Sequence, residues 1–335
     1  MQSLAVKYRP TDFDQVVAQS ATKVILEQQL ASHEIKNAYL FCGPAGCGKT
    51  TCARIFANKI NNGQGKLIEL NSADNNSVED VREIIQDAKI ASLDSEYKVF
   101  ILDEVHAFSN SAWQALLKTL EEPPAKSIFI LCTTDAQKIP KTILSRVQRY
   151  DFQRIGAQDI TDRLLFVINS EIENGSQIQT EDAAINYLVK RANGGMRDAL
   201  TMLDKCLAYS TDLTLDNVIK ALGVTDYDTL TDFLEAINSG NITASIDIIN
   251  KIYMSGTDLK QFIKDFTLFV LDWCKWAIAA SDEYISCPMN ERIESVFGSG
   301  TSPEELLRSL IKLQSDIKWN TNPLARVEAW CITKE

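Results

Sequence analysis

Hydrophobic positions divide the chain into two unlike halves. In the first half, apolar runs of four to six residues alternate with longer segments in which apolar residues recur every three or four positions. Short runs rich in Val, Ile, Leu and Phe are typical of buried parallel strands, and the longer periodic segments are typical of helices. The predicted strands are 38–42, 67–71, 98–102, 127–132 and 149–152, and the predicted helices between them are 21–31, 49–59, 78–90 and 111–122.

The strand pattern stops after about residue 155, and helical periodicity continues from there. The predicted helices are 157–175, 180–192, 196–208 and 214–222, and a second helical stretch opens at VTDYDTL, in which Ile242, Ile246, Ile249 and Tyr253 recur at helical spacing. Alternating strands and helices indicate an α/β domain with a parallel sheet covered on both faces. We predict this domain over 1–154, a small helical domain over 155–222 and a larger helical domain over 223–335.

Charge separates the same two halves. Residues 1–154 carry 18 Lys and Arg against 18 Asp and Glu, whereas residues 155–335 carry 16 against 27 and account for the whole net charge of −11. Any contact with DNA would therefore come from local groups in the neutral half and not from a bulk positive field. We also expect a cytoplasmic protein, because the chain has neither an apolar run of membrane length nor the apolar stretch of a signal peptide at its start.

A glycine-rich loop follows the first predicted strand. It reads GPAGCGKT and fits the pattern G-x-x-x-x-G-K-[ST], with a strand before it and a helix after it. In such a loop backbone N–H groups surround phosphates, the lysine reaches the β- and γ-phosphates, and the hydroxyl ligates Mg²⁺. A chance glycine turn and a cysteine-based metal or redox site are the alternatives. The predicted nucleotide-binding residues are Gly43, Pro44, Ala45, Gly46, Cys47, Gly48, Lys49, Thr50 and Thr51, with Thr50 also a metal ligand.

Two acids end the third predicted strand. Asp103 and Glu104 follow four apolar residues, about 50 residues after the glycine-rich loop. A carboxylate in that position can hold Mg²⁺ through water, and its neighbour can polarise the attacking water as a general base. We assign Asp103 to the metal and Glu104 to the water. An ordinary strand end with solvated acids is the alternative.

The eight cysteines favour no metal site. None stands in a C-x-x-C pair, and the chain has only two histidines. Structural zinc sites usually show clustered ligand pairs, so we expect no zinc. Cys47 is the one thiol that we expect could be reactive, because a lysine and a helix N-terminus lie nearby.

Several motifs together resemble the gamma/tau subunit of bacterial DNA polymerase III, the AAA+ ATPase motor of the sliding-clamp loader. They are LDEVH over 102–106, ALLKTLEEPP over 115–124, CTTDAQKIPKTILSR over 132–146, GGMRDAL over 194–200 and NPLARVEAW over 322–330. The resemblance covers nearly all of the chain. It implies an AAA+ P-loop domain followed by a helical lid and an all-α collar, with ATP and Mg²⁺ as cofactors.

The resemblance also implies roles for residues outside the loop. Thr134 would be sensor 1, Arg146 the arginine finger inserted in trans into a neighbouring subunit's site, and Arg197 sensor 2. An arginine supplied in trans would make hydrolysis conditional on assembly. With Lys49 and Glu104 these residues form the predicted catalytic set. The adenine pocket would be lined by Tyr8, Arg9, Pro10 and Val17.

The chain also departs from the family pattern. The four zinc-binding cysteines that the family usually carries are absent from the segment 58–70. ELNSAD (69–74) looks more like small clamp-loader subunits of eukaryotes and archaea, which makes Asn71 a candidate switch that holds the catalytic glutamate until DNA arrives. Neutral Asn75, Ser77 and Asn110 stand where the family tends to place basic DNA contacts, with Arg82 and Lys126 as possible substitutes.

The expected function is therefore an ATP-hydrolysing clamp-loader subunit, with no polymerase active site of its own. Its partners would be other loader subunits in a ring-like hetero-oligomer, by resemblance a pentamer, together with a sliding clamp and primer–template DNA. It would act in the cytoplasm of a bacterial cell or, for a phage protein, of the host. The alternatives are a non-hydrolysing structural subunit of the same assembly and another AAA+ DNA motor of the helicase or branch-migration type.

Overall fold

Five parallel strands form the central sheet of the first half. The structure is a computed structural model that describes residues 2–64, 67–90, 92, 94–279, 285, 287, 289–298 and 302–334. The strands are β1 Ala38–Cys42, β2 Ile68–Asn71, β3 Lys98–Asp103, β4 Ser127–Thr133 and β5 Gln148–Asp151. They lie in the order β2-β3-β4-β1-β5, and every residue of β1 and β4 is buried. The predicted parallel sheet is thus confirmed.

The strand register brings the carboxyl ends of the strands to one edge of the sheet. Cys42 pairs with Thr133, and Asn71 pairs with Asp103. In the sheet β1 lies between β4 and β5, and the chain returns from β1 to β2 at the far edge of the sheet. The order of the strands therefore reverses beside β1. In open parallel sheets, ligands bind in the crevice at such a reversal, outside the carboxyl ends of the strands.

Helices cover both faces of the sheet, as the buried strands require. Tyr39 and Phe41 of β1 pack in one apolar cluster with Phe56, while Leu40 packs in a second cluster with Leu116. Successive strand residues point to opposite faces, so one strand supplies both clusters. The helices of this half are α1 Leu4–Lys7, α2 Ser20–Ser32, α3 Lys49–Ile60, α4 Val78–Ala88, α5 Asn110–Glu121, α6 Lys141–Leu144 and α7 Ala157–Glu173.

The described residues of the second half are helical apart from one short strand pair. It contains β6 Gln179–Thr180, α8 Asp182–Ala192, α9 Met196–Tyr209, β7 Asp212–Leu213 and α10 Leu215–Leu222. β6 and β7 pair in parallel, so the expectation of no strand after residue 155 was wrong there. Strands of two residues are too short to produce an apolar run. The chain divides into two compact units, Met1–Ile178 with Leu188–Asp204 and Gln179–Tyr187 with Lys205–Glu335. The predicted three-domain boundaries stay a prediction.

Six further helices lie in the part of the second unit that the structure describes. They are α11 Tyr227–Asn238, α12 Ile242–Met254, α13 Leu259–Ala279, α14 Glu291–Gly298, α15 Pro303–Lys318 and α16 Pro323–Thr333. Their core is aromatic, with Phe233, Phe266 and Trp330 fully buried. Helix α12 contains the four residues predicted at helical spacing; Ile249 is buried and Ile246 packs against the core, whereas Ile242 and Tyr253 are 42% and 48% exposed. Among the described residues, no helix is both long and apolar enough to cross a membrane.

Candidate nucleotide-binding site

The glycine-rich loop connects β1 to α3 at the carboxyl edge of the sheet. Gly43, Gly46 and Gly48 have φ angles of 152°, 71° and 100°, which favour glycine. A Cβ on Gly43 would lie 2.4 Å from the carbonyl oxygen of Phe152. Gly48 is the N-cap of α3 and places no side chain on the first amides of the helix. The loop therefore leaves a helix N-terminus open to an anion.

Lys49 and Thr50 point back toward the loop and the neighbouring strand end. Lys49 is 6% exposed, and its Nζ donates to the carbonyl oxygens of Gly43 at 2.9 Å and Pro44 at 2.8 Å. The Thr50 hydroxyl donates to Oδ2 of Asp103 at 2.7 Å. An ammonium group lies inside the loop, and the two predicted metal ligands contact each other.

Glu104 is held by the strand end next to its own. It adopts a left-handed φ of 52°, a strained backbone that persists only where its surroundings hold it and that is common at functional sites. Its Oε2 accepts hydrogen bonds from the hydroxyl of Thr134 at 3.0 Å and from the N–H of Thr134 at 3.3 Å. His106 Nδ1 lies 3.2 Å from the same oxygen and 3.2 Å from the hydroxyl of Thr133. The predicted general base and sensor 1 are thus in direct contact.

Arg9 lies within electrostatic reach of two other arginines, Arg54 and Arg197. The pKa of Arg9 is lowered, first by burial and then by the nearby cations Arg54 and Arg197. Glu69 is the carboxylate that opposes this effect, and its Oε1 and Oε2 lie 2.8 and 2.6 Å from Nη2 of Arg54. A cluster of like charges is stabilised when an anion binds to it. Sequence reasoning missed Arg54, although it lies one helical turn beyond Thr50 on α3.

The segment that carries Arg197 rests on the glycine-rich loop. The N–H of Met196 donates to the carbonyl oxygen of Gly46 at 3.0 Å. A Cβ on Gly46 would lie 3.2 Å from Cα of Gly195, so the close approach depends on glycine. On another side of the loop, Nε2 of Gln19 donates to the carbonyl oxygen of Cys47 at 3.3 Å. Both contacts fix the loop, and sequence reasoning had assigned neither.

The residues expected in the adenine pocket lie in the N-terminal segment. Tyr8, Pro10 and Val17 are all half-buried. The hydroxyl of Tyr8 donates to Glu171 of α7 at 2.7 Å. The charges that act on Arg9 are those of Arg54, Glu69 and Arg197 described above. Positive charges of this kind suit a phosphate better than the base of a nucleotide. Assignment of these four residues to the base stays a prediction.

Arg146 contacts none of the other predicted site residues. Its Nη2 donates to Oε1 of Glu121 at 2.6 Å, and its Nη1 donates to the carbonyl oxygen of Thr142 at 2.6 Å and to the hydroxyl of Ser145 at 3.0 Å. The guanidinium is thus held at the ends of α5 and α6. None of these three partners belongs to the predicted nucleotide site.

The candidate switch and the candidate DNA contacts make local hydrogen bonds. Asn71 donates to Asp74 at 2.7 Å and accepts from the N–H of Ala73 at 3.1 Å, while Glu104 is bound by Thr134 and not by Asn71. Ser77 caps α4 in a reciprocal capping box with Asp80. Carboxylates in the first turn already compensate that helix N-terminus, which weakens it as a phosphate site.

The other candidate DNA contacts are polar groups at the surface. Asn75 donates through its amide to the carbonyl oxygen of Asn71 at 3.2 Å, and Asn110 is the first residue of α5, next to the cap Ser109. Arg82 and Lys126 are exposed and lie 3.9 Å from Glu79 and 3.8 Å from Glu96, respectively. Their roles toward DNA stay predictions.

Cys47 does not have the surroundings of a reactive thiol. It is 1% exposed, its Sγ donates to the carbonyl oxygen of Pro44 at 2.9 Å, and burial raises its pKa despite the nearby Lys49. A raised pKa reduces the thiolate that reacts. The expectation of a reactive Cys47 was therefore wrong. All eight cysteines are buried, and the described part of the chain contains no group of three or more His, Cys, Asp or Glu that could hold a metal ion.

Three protein-family models match successive parts of the chain. The model described as DNA polymerase III, delta subunit, matches residues 58–156. The model for the ATPase lid domain of the DNA polymerase III clamp loader subunit matches 160–212. The model for domain III of DNA polymerase III subunits gamma and tau matches 213–328. Together they extend over most of the chain.

Curated relatives carry matching descriptions. The chain is 33% identical over 350 residues to DNA polymerase III subunit tau of Bacillus subtilis, an alignment that covers 96% of this chain and 61% of the relative. It is 33% identical over 284 residues to DNA polymerase III subunit tau of Escherichia coli, covering 78% of this chain and 43% of the relative. The chain thus spans about half the length of the curated relatives that it matches.

Solved structures share the fold at lower identity. The Thermotoga maritima RuvB Holliday junction branch migration motor aligns with a TM-score of 0.54 and 19% identity, covering 69% of this chain and 79% of that chain. This likeness supports the AAA+ architecture of the first half. At such an identity it shows the fold alone.

Proposed function

The chain belongs to the DNA polymerase III gamma/tau family of clamp-loader subunits, and on that basis we propose that it is an ATP-hydrolysing motor subunit. The observation that carries the proposal is the convergence of Lys49, Thr50, Asp103, Glu104 and Thr134 at the carboxyl edge of the sheet. A structural subunit has no need of that set.

The residues at this edge fit a nucleotide with its metal ion. The glycine-rich loop offers uncapped amides, and the ammonium of Lys49 lies among loop carbonyls that a phosphate would replace as its partner. Thr50 and Asp103 offer two adjacent oxygens, the ligand type that Mg²⁺ prefers. Bound Mg²⁺ supplies charge neutralisation for phosphate oxygens. Arg9 and Arg197 add positive charge on the same side.

Hydrolysis requires a water positioned for attack on the γ-phosphate. In this proposal Glu104 accepts hydrogen bonds from that water and orients it, while the hydroxyl of Thr134 holds the carboxylate in place at 3.0 Å. Developing charge on the γ-oxygens is then stabilised by Lys49 and Arg197 of the same chain. Positioning and electrostatic stabilisation account for most catalysis of phosphoryl transfer, and these groups supply the part that comes from the chain itself.

The missing contribution comes from a second subunit. Arg146 makes its contacts at Glu121, Thr142 and Ser145, apart from the chain's own site. We propose that it enters the site of a neighbouring subunit in a ring-like hetero-oligomer, by resemblance a pentamer. A guanidinium supplied in trans is worth roughly 10³–10⁵ in rate, so turnover would depend on assembly.

The remaining partners follow from the family and remain part of the proposal. ATP binding would let the assembly hold an opened sliding clamp, and primer–template DNA would trigger hydrolysis and release of the clamp. With neutral Asn75, Ser77 and Asn110 at the expected phosphate contacts, binding to DNA should be weaker per subunit and less sensitive to salt. Asn71 is kept as a proposed switch that would have to leave Asp74 to reach Glu104.

A reconstitution experiment tests the proposal. The ATPase rate of the purified chain is measured alone and then with sliding clamp, partner subunits and primed DNA. The complete set should stimulate the rate, and Glu104→Gln should abolish the stimulated rate while leaving ATP binding intact. Absence of stimulation of a folded protein by the complete set would refute the loader function. A rate unaffected by Glu104→Gln would favour a non-hydrolysing structural subunit instead.

The branch-migration alternative has less support. It rests on structural neighbours of 19% identity, whereas sequence relatives of 33% identity are DNA polymerase III subunits. Strand displacement by the purified chain without any clamp would count for that alternative.

A further inference from the structure

A buried carboxylate lies outside the catalytic edge of the sheet. Glu171 of α7 is 7% exposed, and glutamate is rarely buried unless it is paired. Its Oε1 accepts from Nζ of Lys7 at 2.6 Å and from the hydroxyl of Tyr8 at 2.7 Å. These contacts join α7 to the N-terminal segment more than 160 residues earlier in the chain. A pairing over such a distance in sequence is not explained by the local stability of α7.

Tyr8 is fixed at three points, all by residues of α7. Besides the bond from its hydroxyl to Glu171, its carbonyl oxygen accepts from Nη2 of Arg163 at 2.8 Å. Its ring meets Phe166 edge to face, with centroids 6.4 Å apart. The guanidinium of Arg163 lies 4.9 Å from the Phe166 ring centre. Phe166 stands three positions and Glu171 eight positions after Arg163, so the three side chains lie on the same half of the helix and hold this tyrosine together.

The electrostatics agree with a permanent ion pair. The pKa of Glu171 is lowered by Lys7 and then by Tyr8, and the pKa of Lys7 is raised chiefly by its bond to Glu171. A carboxyl group with a lowered pKa stabilises the fold above its usual range and loses that contribution as the pH falls through its folded pKa. At neutral pH the carboxylate is therefore ionised and available to both partners.

We infer that Glu171 is a positioning residue for the base side of the bound nucleotide. This inference rests on the proposed function, in which the glycine-rich loop holds the phosphates, and on the predicted assignment of Tyr8 to the adenine pocket. Fixing Tyr8 before the nucleotide binds removes an ordering cost from binding. The phosphate contacts made by the loop do not involve Glu171. Loss of Glu171 should therefore weaken binding of the base and leave binding of the phosphates unchanged.

The experiment compares a whole nucleotide with its phosphate part alone. Glu171→Gln and Tyr8→Phe are titrated calorimetrically with ATP and with inorganic tripolyphosphate. Each variant should weaken ATP binding by about three- to tenfold, because a hydrogen bond to a charged group is removed, and should leave tripolyphosphate binding within about twofold of wild type. The double variant should lose little more than either single one, since both act on one contact.

Glu173→Gln provides the matched control, since Glu173 is an exposed carboxylate two positions further along α7 and should bind both ligands as wild type does. Unchanged ATP affinity in Tyr8→Phe, or an equal loss for ATP and tripolyphosphate, overturns the inference. If Glu171→Gln fails to fold, Tyr8→Phe decides alone. Failure of the wild-type protein to bind ATP at all would instead refute the proposed function, and the inference with it.

Discussion

The carboxyl edge of the sheet and the surface around Arg146 differ in how their charged groups are satisfied. At the edge, groups predicted to act together already contact one another: Thr50 bonds to Asp103, and Thr134 bonds to Glu104. At the surface, Arg146 is bound by Glu121 and by two local oxygens that have no proposed role with nucleotide. The fold of one chain therefore brings these predicted site residues together at the edge and holds Arg146 with other partners.

The position of Glu121 explains why it binds Arg146. It is the last residue of α5, and a carboxylate at the C-terminal end of a helix faces the negative end of the helix dipole. Such placement is unfavourable by about 0.3–1 kcal/mol unless a cation offsets it. Arg146 supplies that cation at 2.6 Å. The pair is a local arrangement that an anion from another subunit could replace.

Arg146→Ala should show the largest difference between the two regions. In the complete assembly the ATPase rate should fall by about 10³-fold, the lower end of the effect of an arginine finger. In the isolated chain the affinity for ATP should not change, because Arg146 contacts none of the groups at the sheet edge. Steady-state rates and calorimetry measure the two quantities. A lower ATP affinity of the isolated chain would place Arg146 in its own site and contradict the comparison.

Lys49→Met should weaken ATP binding by the isolated chain, which Arg146→Ala should leave unchanged. The isolated chain should lose about 100-fold in ATP affinity, because two charge-assisted contacts to phosphate are removed. Lys36→Met removes an exposed ammonium that makes no hydrogen bond among the described residues and keeps the backbone N–H of residue 36, which donates to Tyr39, so this variant should bind ATP normally. Calorimetric titration checks both variants. Wild-type affinity in Lys49→Met would mean that the loop does not hold the phosphates.

Gly43→Ala tests whether the edge depends on backbone shape. The new Cβ would meet the carbonyl oxygen of Phe152 at 2.4 Å, so β1 or the chain after β5 must move. We expect a loss of about 1–3 kcal/mol in stability together with weaker ATP binding, measured by thermal melting and titration. Gly63→Ala is the control, since Gly63 also has a positive φ of 78° but its nearest neighbour would be 3.7 Å away. Equal effects of the two variants would assign the loss to φ alone and not to the contact with Phe152.

The same two regions show what sequence can predict. The glycine-rich loop and the acids after β3 were found because their spacing and their apolar strands are local patterns. Thr134 and Arg146 were assigned roles through family motifs. The contact of Glu104 with Thr134 required the parallel register of β3 and β4, which brings both strand ends to one edge.

The residues that sequence reasoning missed have partners far along the chain. Glu171 resembles any charged residue of an amphipathic helix until Lys7 and Tyr8 are placed beside it. Arg54 likewise acquires a role only from its proximity to Arg9 and Glu69. Long-range pairs of this kind leave no periodicity in the sequence.

Glu121→Gln should give the smallest effect and the sharpest test of the surface region. If Arg146 must leave Glu121 to reach a neighbour's phosphate, weakening their bond should strengthen ATP-dependent association of subunits. The pair is partly exposed, and such pairs are worth about 0.2–1 kcal/mol, so the gain in affinity should lie between about 1.4-fold and fivefold. Glu122→Gln changes the same charge one residue further on, where the side chain makes no hydrogen bond among the described residues, and should leave association unchanged. Analytical ultracentrifugation with ATP measures both. Weaker association in Glu121→Gln would mean that Glu121 presents Arg146 to the neighbour and does not compete for it.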